Sequence, residues 1–228
     1  MLDKSLPYFD IIMKMRGDLL AKVPEPVLPE GYSFRFYRPG DEYHWARLET
    51  LVQEFPTVEK ALGYYRMRYM ENDADKLPER CVFVVDANDI PVATTTAWFG
   101  ESSMGSGNWL QWISTDPAHQ GKGLGRAVIA RALRRYTELG EVGNVYLHTQ
   151  TWSHKAVYLY NKFGFQFFLI DHVTIPTREA PYFRFMKNSP EEAFKTLEGV
   201  YTPEYLQSLR DHAEHPETHE LADGTPWM

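Results

Sequence analysis

The chain has a single cysteine, Cys81, among 228 residues. An internal disulfide is excluded, and the composition suits a reducing compartment. Cys81 opens the apolar run Cys81 to Val85, which fits a buried structural thiol better than a nucleophile. No apolar run is long enough to cross a bilayer. The first residues lack the basic patch and continuous apolar stretch of a signal peptide, so a cytoplasmic location with no membrane partner is expected. Positive charge is also scarce. Lys and Arg number 24 against 31 Asp and Glu, giving a net charge of −7 and a pI of about 5.6. That balance argues against nucleic acid as a partner and tilts towards a cationic small substrate. There is no internal repeat and no low-complexity tract.

Apolar residues are plentiful at 43%, enough for a sizeable core, and aromatics reach 14%. One stretch organises the rest. Asn108 to Thr115 reads as a strand, rich in aromatic and β-branched residues. Leu124, Val128, Ile129, Ala132, Leu133, Tyr136 and Leu139 then recur at helical spacing, with Gly140 as a C-terminal cap. Between them the loop Asp116 to Gly125 carries glycine at 121, 123 and 125. The unpaired N–H groups and dipole of a first helical turn favour an anion, and missing side chains let it approach. Strand, glycine loop and helix start therefore make a phosphate or pyrophosphate site. No Lys-Ser or Lys-Thr pair follows the glycines, and the third glycine comes one residue too early for G-x-G-x-x-G, so neither nucleotide pattern fits.

In chain order, Ile11, Ile12, Met15, Leu19 and Leu20 give residues 1–22 an amphipathic helical pattern. Pro24, Pro26 and Pro29 form a stiff connector. Tyr32, Phe34 and Phe36 mark a strand, and Asp41 and Thr57 are candidate caps for two helices. Cys81 to Val85 and Pro91 to Phe99 read as a hairpin around Asn88-Asp89. Val145 to Gln150 is a strand, Ser153 to Phe163 a helix ended by Gly164, and Phe165 to Ile170 and Tyr182 to Met186 two further strands. Ser189-Pro190-Glu191-Glu192 starts a further helix, with Ala193, Phe194, Leu197 and Val200 inward. Thr202-Pro203 starts another, and residues 211 to 226 are polar and irregular.

Gln120, Gly123 and Gly125 fit Q/R-x-x-G-x-G/A, which resembles the coenzyme A pyrophosphate loop of the GNAT acyltransferase superfamily. Ala156 to Phe165 looks like that family's A-x-x-L-Y-x-x-x-G-F. With the order β-α-α-β-β-β-α-β-α-β-β, the resemblance covers roughly residues 32 to 187. It implies an α+β (α/β) GNAT fold: a mixed, mostly antiparallel sheet of about seven strands flanked by helices. The expected division is a helical extension and connector over 1–31, the acyltransferase domain over 32–188, and a helical extension with a polar tail over 189–228.

The resemblance also implies acetyl-CoA as co-substrate, no metal, and direct transfer to a primary amine in a ternary complex. The acceptor is expected to be a small molecule, and a homodimer is left open. Ile113, Ser114 and Thr115 would border the pantetheine arm. The loop Gln120, Gly121, Lys122, Gly123, Leu124, Gly125 and Arg126 would receive the pyrophosphate. Ser153 and Ala156 would lie beside the pantetheine, Ser153 standing where the family often has asparagine. By family position Tyr160 would protonate the leaving thiolate, a role suited to a phenol; periodicity alone equally makes it a core aromatic. No general base is identified, since Gly107 and Asn108 stand where the family often has a carboxylate. His148 and Glu101 are nearby candidates, and a water relay stays open. The acceptor should meet Phe55 to Thr57, Tyr64, Tyr65 and the loop before Tyr182. A non-catalytic acyl-CoA-binding domain is the alternative reading. His212, His215 and His219 have metal-like spacing, but Pro216 breaks any helix that would align them.

Overall fold

A computed structural model describes residues 2–176 and 183–216. Seven strands form the sheet in the order β2-β3-β4-β5-β6-β1-β7. They are β1 (Asp10–Met15), β2 (Ser33–Phe36), β3 (Cys81–Val85), β4 (Pro91–Ser102), β5 (Gly105–Thr115), β6 (Val145–Gln150) and β7 (Gln166–Phe167). Every neighbouring pair is antiparallel except β5 and β6. The expected mixed, mostly antiparallel sheet of seven strands is therefore present.

Its membership differs from the expectation at two places. The helix expected within residues 1–22 is a strand followed by a 3-10 turn, Gly17–Lys22. Ile11, Ile12, Met13 and Met15 are all fully buried, because β1 lies between β6 and β7 with both faces covered. An interior strand carries an almost continuous apolar run, and such a run also satisfies helical spacing. The second difference lies near the C-terminus. β8 (His172–Pro176) pairs with β9 (Phe183–Lys187) as a separate two-stranded sheet, and only Gln166–Phe167 of the expected strand 165–170 joins the main sheet. Tyr182 lies outside the described residues.

Six helices matter for the site: α1 (Asp41–Leu51), α2 (Val58–Tyr65), α3 (Leu124–Glu138), α4 (His154–Lys162), α5 (Pro190–Leu197) and α6 (Pro203–Asp211). Asp41 does not cap α1. Gly40 holds that position, while the Asp41 carboxylate takes Arg35 and the Arg38 N–H. Thr57 caps α2 as expected, accepting from the Lys60 N–H. α3 buries Leu124, Val128, Ile129, Ala132, Leu133 and Tyr136 against the sheet, and Gly140 (φ 76°) closes it. Ser189 and Pro190 open α5, but the Ser189 side chain makes no capping bond. Phe194, Leu197, Leu206 and Leu209 of the last two helices are buried in the same core as β1 and α3.

Candidate active site

β5 and β6 run parallel for only two residue pairs, Asn108 with Val145 and Trp109 with Tyr146. Beyond these they part. β5 bulges where Trp112 takes φ 55°, a left-handed conformation that strains a non-glycine residue by about 1–3 kcal/mol. The backbone from Gln111 to Thr115 thus turns an unpaired edge towards the gap.

That edge leads into the glycine loop. Gly121 (φ 78°) and Gly123 (φ 82°) adopt left-handed backbone, and a Cβ on either would meet nothing within 4 Å. Glycine is required there by conformation, and the space above the loop is open. Gly125 is different: a Cβ would touch Thr115 Oγ1 at 3.5 Å, in ordinary contact. Ala127 donates to the Gly123 carbonyl as the first helical bond, so the N–H groups of Leu124, Gly125 and Arg126 are left for an outside acceptor. Gln120 folds back, Nε2 donating to the Thr115 carbonyl at 3.0 Å, and ties the end of β5 to the loop. Lys122 Nζ donates to the Tyr32 hydroxyl at 2.8 Å, and that hydroxyl also meets His119 Nδ1 at 2.9 Å. Arg126 is exposed above the Phe163 ring.

On the far side of the gap, α4 carries Ser153 at its start, then Ala156 and Tyr160. Ser153 is half-buried with no capping bond, and Ala156 packs on the core. Tyr160 is 4% exposed. Burial, then the charges of Glu54 and Glu49, push its phenol well above its ordinary value. It is therefore a proton carrier at neutral pH, and two carboxyls that the sequence alone does not single out stand near it.

A turn brings these carboxyls together. Gln53 takes φ 69°, the Glu54 N–H donates back to the Glu49 carbonyl at 3.0 Å, and the Gln53 N–H donates to the Thr50 carbonyl at 3.0 Å. This is a Schellman motif closing α1, with glutamine where glycine is usual. Glu49 is 1% exposed; burial, with the Glu54 charge adding to it, pushes its carboxyl up to about 8. Ser114, whose side chain faces Glu49, opposes that shift, although no well-formed hydrogen bond joins them. Glu54 is reachable by solvent yet ringed by protein, as a group on a cleft wall is. Burial raises it, while the Gln150 Nε2 bond at 3.0 Å works the other way. Ser114 and Gln150 occupy the C-terminal ends of the two parted strands, so the carboxyls flank the gap.

Of the other candidates, His148 is close enough for its charge to act on Glu54, and Glu101 lies elsewhere. His148 is on β6 with Nε2 3.0 Å from Asp10 Oδ1, and Glu101 bonds Ser106 at the opposite end of the β4–β5 hairpin from the bulge. Cys81 is fully buried, and burial raises its thiol to about 11, so it is no thiolate. Among the described residues no group of three or more His, Cys, Asp or Glu is arranged to hold a metal; His219 lies outside them. Phe55, Tyr64 and Trp112 form a mutual ring contact, with centroids 5.1 to 5.4 Å apart.

A family model described as acetyltransferase (GNAT) family matches residues 44–165, which contain most of α1, the bulged strand, the glycine loop and Tyr160. The chain belongs to the GNAT family. The chain is 28% identical over 170 residues to the mycothiol acetyltransferase of Acidothermus cellulolyticus, covering 68% of this chain and 51% of that protein. A shorter match, 36% identical over 59 residues, is to the spermine/spermidine N(1)-acetyltransferase of Bacillus subtilis, covering 26% of this chain and 39% of that one. The chain spans about half the length of the mycothiol acetyltransferases it matches. In fold, this GNAT protein is similar to a GCN5-related N-acetyltransferase from Sphaerobacter thermophilus. The TM-score is 0.55 at 22% identity, over 71% of this chain and 49% of that one.

Proposed function

We propose that this GNAT protein moves an acetyl group from acetyl-CoA to a primary amine of a small molecule, directly and without an acyl-enzyme. The observation that carries the reading is the gap between β5 and β6 opening onto the Gly121–Gly125 loop. Pyrophosphate would sit on the N–H groups at the start of α3, with Lys122 and Arg126 at its border. The pantetheine arm would lie along Ile113 and Thr115, between β5 and the start of α4 at Ser153 and Ala156. An N–H of the bulged strand would polarise the thioester carbonyl as negative charge develops on its oxygen. Tyr160 would give its proton to the departing sulfur. The relatives named for mycothiol and polyamine acetylation act, by their names, on small molecules, and this supports a small acceptor.

The test is calorimetric titration with acetyl-CoA. Gly125→Glu is the cleaner substitution, because its backbone is ordinary helix and a Cβ fits beside Thr115. It places a negative charge where the pyrophosphate would lie, so the folded variant should show no binding. Unchanged affinity in that variant would remove the loop from the donor site.

A further inference from the structure

Among the described residues five buried side-chain polar atoms have no hydrogen-bond partner; Tyr65 OH and Thr96 Oγ1 face the Cys81 thiol, and the other three are Glu49 Oε1, Ser114 Oγ and Trp45 Nε1. Trp45 and Glu49 are four residues apart on α1 and share a face, and Ser114 stands against the Glu49 carboxyl. Buried polar atoms are normally paired, so three unpaired in one place point to a partner that is not part of the chain. The half-buried rings of Phe55, Tyr64 and Trp112 stand beside them, with Trp45 5.3 Å from Trp112. Aromatic faces and a carboxylate together recognise an organic ammonium ion.

We propose that this cluster is the acceptor site, that it takes a primary alkylammonium with an apolar or aromatic stem, and that Glu54 receives its proton. The proposal rests on the acetyl-transfer reading above. Glu54 suits the role better than Glu49 because it is open to the cleft, whereas Glu49 is enclosed. Burial and the Glu54 charge push the enclosed Glu49 carboxyl up to about 8, whereas Glu54 meets solvent and the Gln150 amide. The groups around Glu54 leave it free for a ligand. Lys4 of the N-terminal segment donates to the Gln53 carbonyl at 3.2 Å, and His148 of β6 is held by Asp10. Gln150 of β6 occupies one oxygen, Oε1. Glu49 of α1, Tyr160 of α4 and Tyr8 of the N-terminal segment, whose hydroxyl donates to Asp10 at 2.9 Å, also face it.

The proton count closes. The ammonium gives one proton to Glu54, which passes it to water in the cleft. The freed nitrogen lone pair forms the C–N bond at the thioester carbon, and the C–S bond breaks with its electron pair on sulfur. Tyr160 protonates that sulfur. The second proton, shed by the nitrogen as the amide forms, goes to Glu54 and by water replaces the one Tyr160 gave. Ammonium and thioester thus become amide, thiol and one released proton.

The experiment uses the full chain saturated with CoA, titrated with phenethylamine, tyramine, tryptamine and putrescine, and with phenylethanol as the uncharged control. At least one amine should bind, and phenylethanol should bind about tenfold more weakly or not at all. Glu54→Gln should weaken that amine about tenfold or more while acetyl-CoA affinity is kept. With acetyl-CoA, kcat for the same amine should fall by about 10²–10⁴. The acidic limb of the kcat/KM pH profile should vanish. Glu54→Asp, which keeps the charge, should recover part of both and serves as the readout if Glu54→Gln does not fold. Amine affinity and turnover in Glu54→Gln within about twofold of wild type overturn the proposal, as does a wild-type complex that binds none of the amines. A wild-type protein that fails to bind acetyl-CoA in a separate titration overturns the donor reading instead.

Discussion

Tyr160 and Glu49 are the two side chains whose environments most directly suggest roles. For Tyr160, core packing and catalysis predict different outcomes from one substitution. Tyr160→Phe removes a hydroxyl and keeps the ring against Phe165. If the phenol protonates the leaving thiolate, kcat falls by about 10²–10⁴ when chemistry limits the rate. Acetyl-CoA affinity and the melting temperature change little, since one neutral hydrogen bond is worth about 1 kcal/mol. Kept activity with lowered stability would make Tyr160 a core residue only. Glu49 yields a pH-dependent stability. Its carboxyl is raised from 4.5 to about 8 in the fold. Between those values the unfolded chain releases this proton and the folded one retains it, so stability drops as pH rises through the window, by about 1.4 kcal/mol per pH unit. Glu49→Gln, which imitates the protonated form, should therefore raise the melting temperature more at pH ~8 than at pH ~5. An equal effect at both would mean that Glu49 is ionised in the fold.

The end of α1 is what places Glu54 beside Glu49 and Tyr160. Gln53 holds a left-handed conformation there that glycine adopts at no steric cost. Gln53→Gly should leave the fold and the turn intact and change stability by less than about 1 kcal/mol, because relief of strain offsets the added freedom of the unfolded chain. Denaturant melts check this, and a loss of several kcal/mol would mean that the Gln53 side chain holds the turn. This turn is not legible in the sequence. Phe55-Pro56-Thr57 shows an interruption, but nothing marks Gln53 as left-handed, so nothing brings Glu49 and Glu54 together. The glycine loop is legible, because glycines at alternate positions between a strand and a helix leave the backbone bare where a ligand can reach it. So is α4, whose A-x-x-L-Y-x-x-x-G-F pattern fixes both its face and its end at Gly164. β1 is not, because the four apolar residues around Lys14 serve an interior strand and a helix stripe alike. Lys14 itself is buried, paired with Glu214 at 2.8 Å and lying over the Phe168 ring, and the pair joins residues about 200 apart in sequence.

Across the whole molecule, β1 completes the sheet that carries the site, and α5 and α6 pack on it. β1 supplies the strand between β6 and β7, and Asn188 clips it in place, accepting from the Ile12 N–H at 2.8 Å and donating to the Phe168 and Ile170 carbonyls. α5 and α6 then cover β7 and brace α4. Phe194 stacks on Phe167 at 4.4 Å, and Tyr205 donates to Asn161 at 3.0 Å, next to Tyr160. Each buried Phe or Leu is worth about 1.5–3 kcal/mol, against a typical domain stability of about 5–15 kcal/mol. A chain ending at Lys187 should therefore melt far lower or fail to fold. A melting curve matching the full chain would show that α5 and α6 are not needed. The central claim is acetyl transfer to an amine, and steady-state release of CoA thiol from acetyl-CoA, with and without a panel of primary amines, tests it most directly. The account predicts release that depends on the amine and a product heavier by one acetyl group. Tight binding of acetyl-CoA with no amine-dependent thiol release across the panel would contradict it.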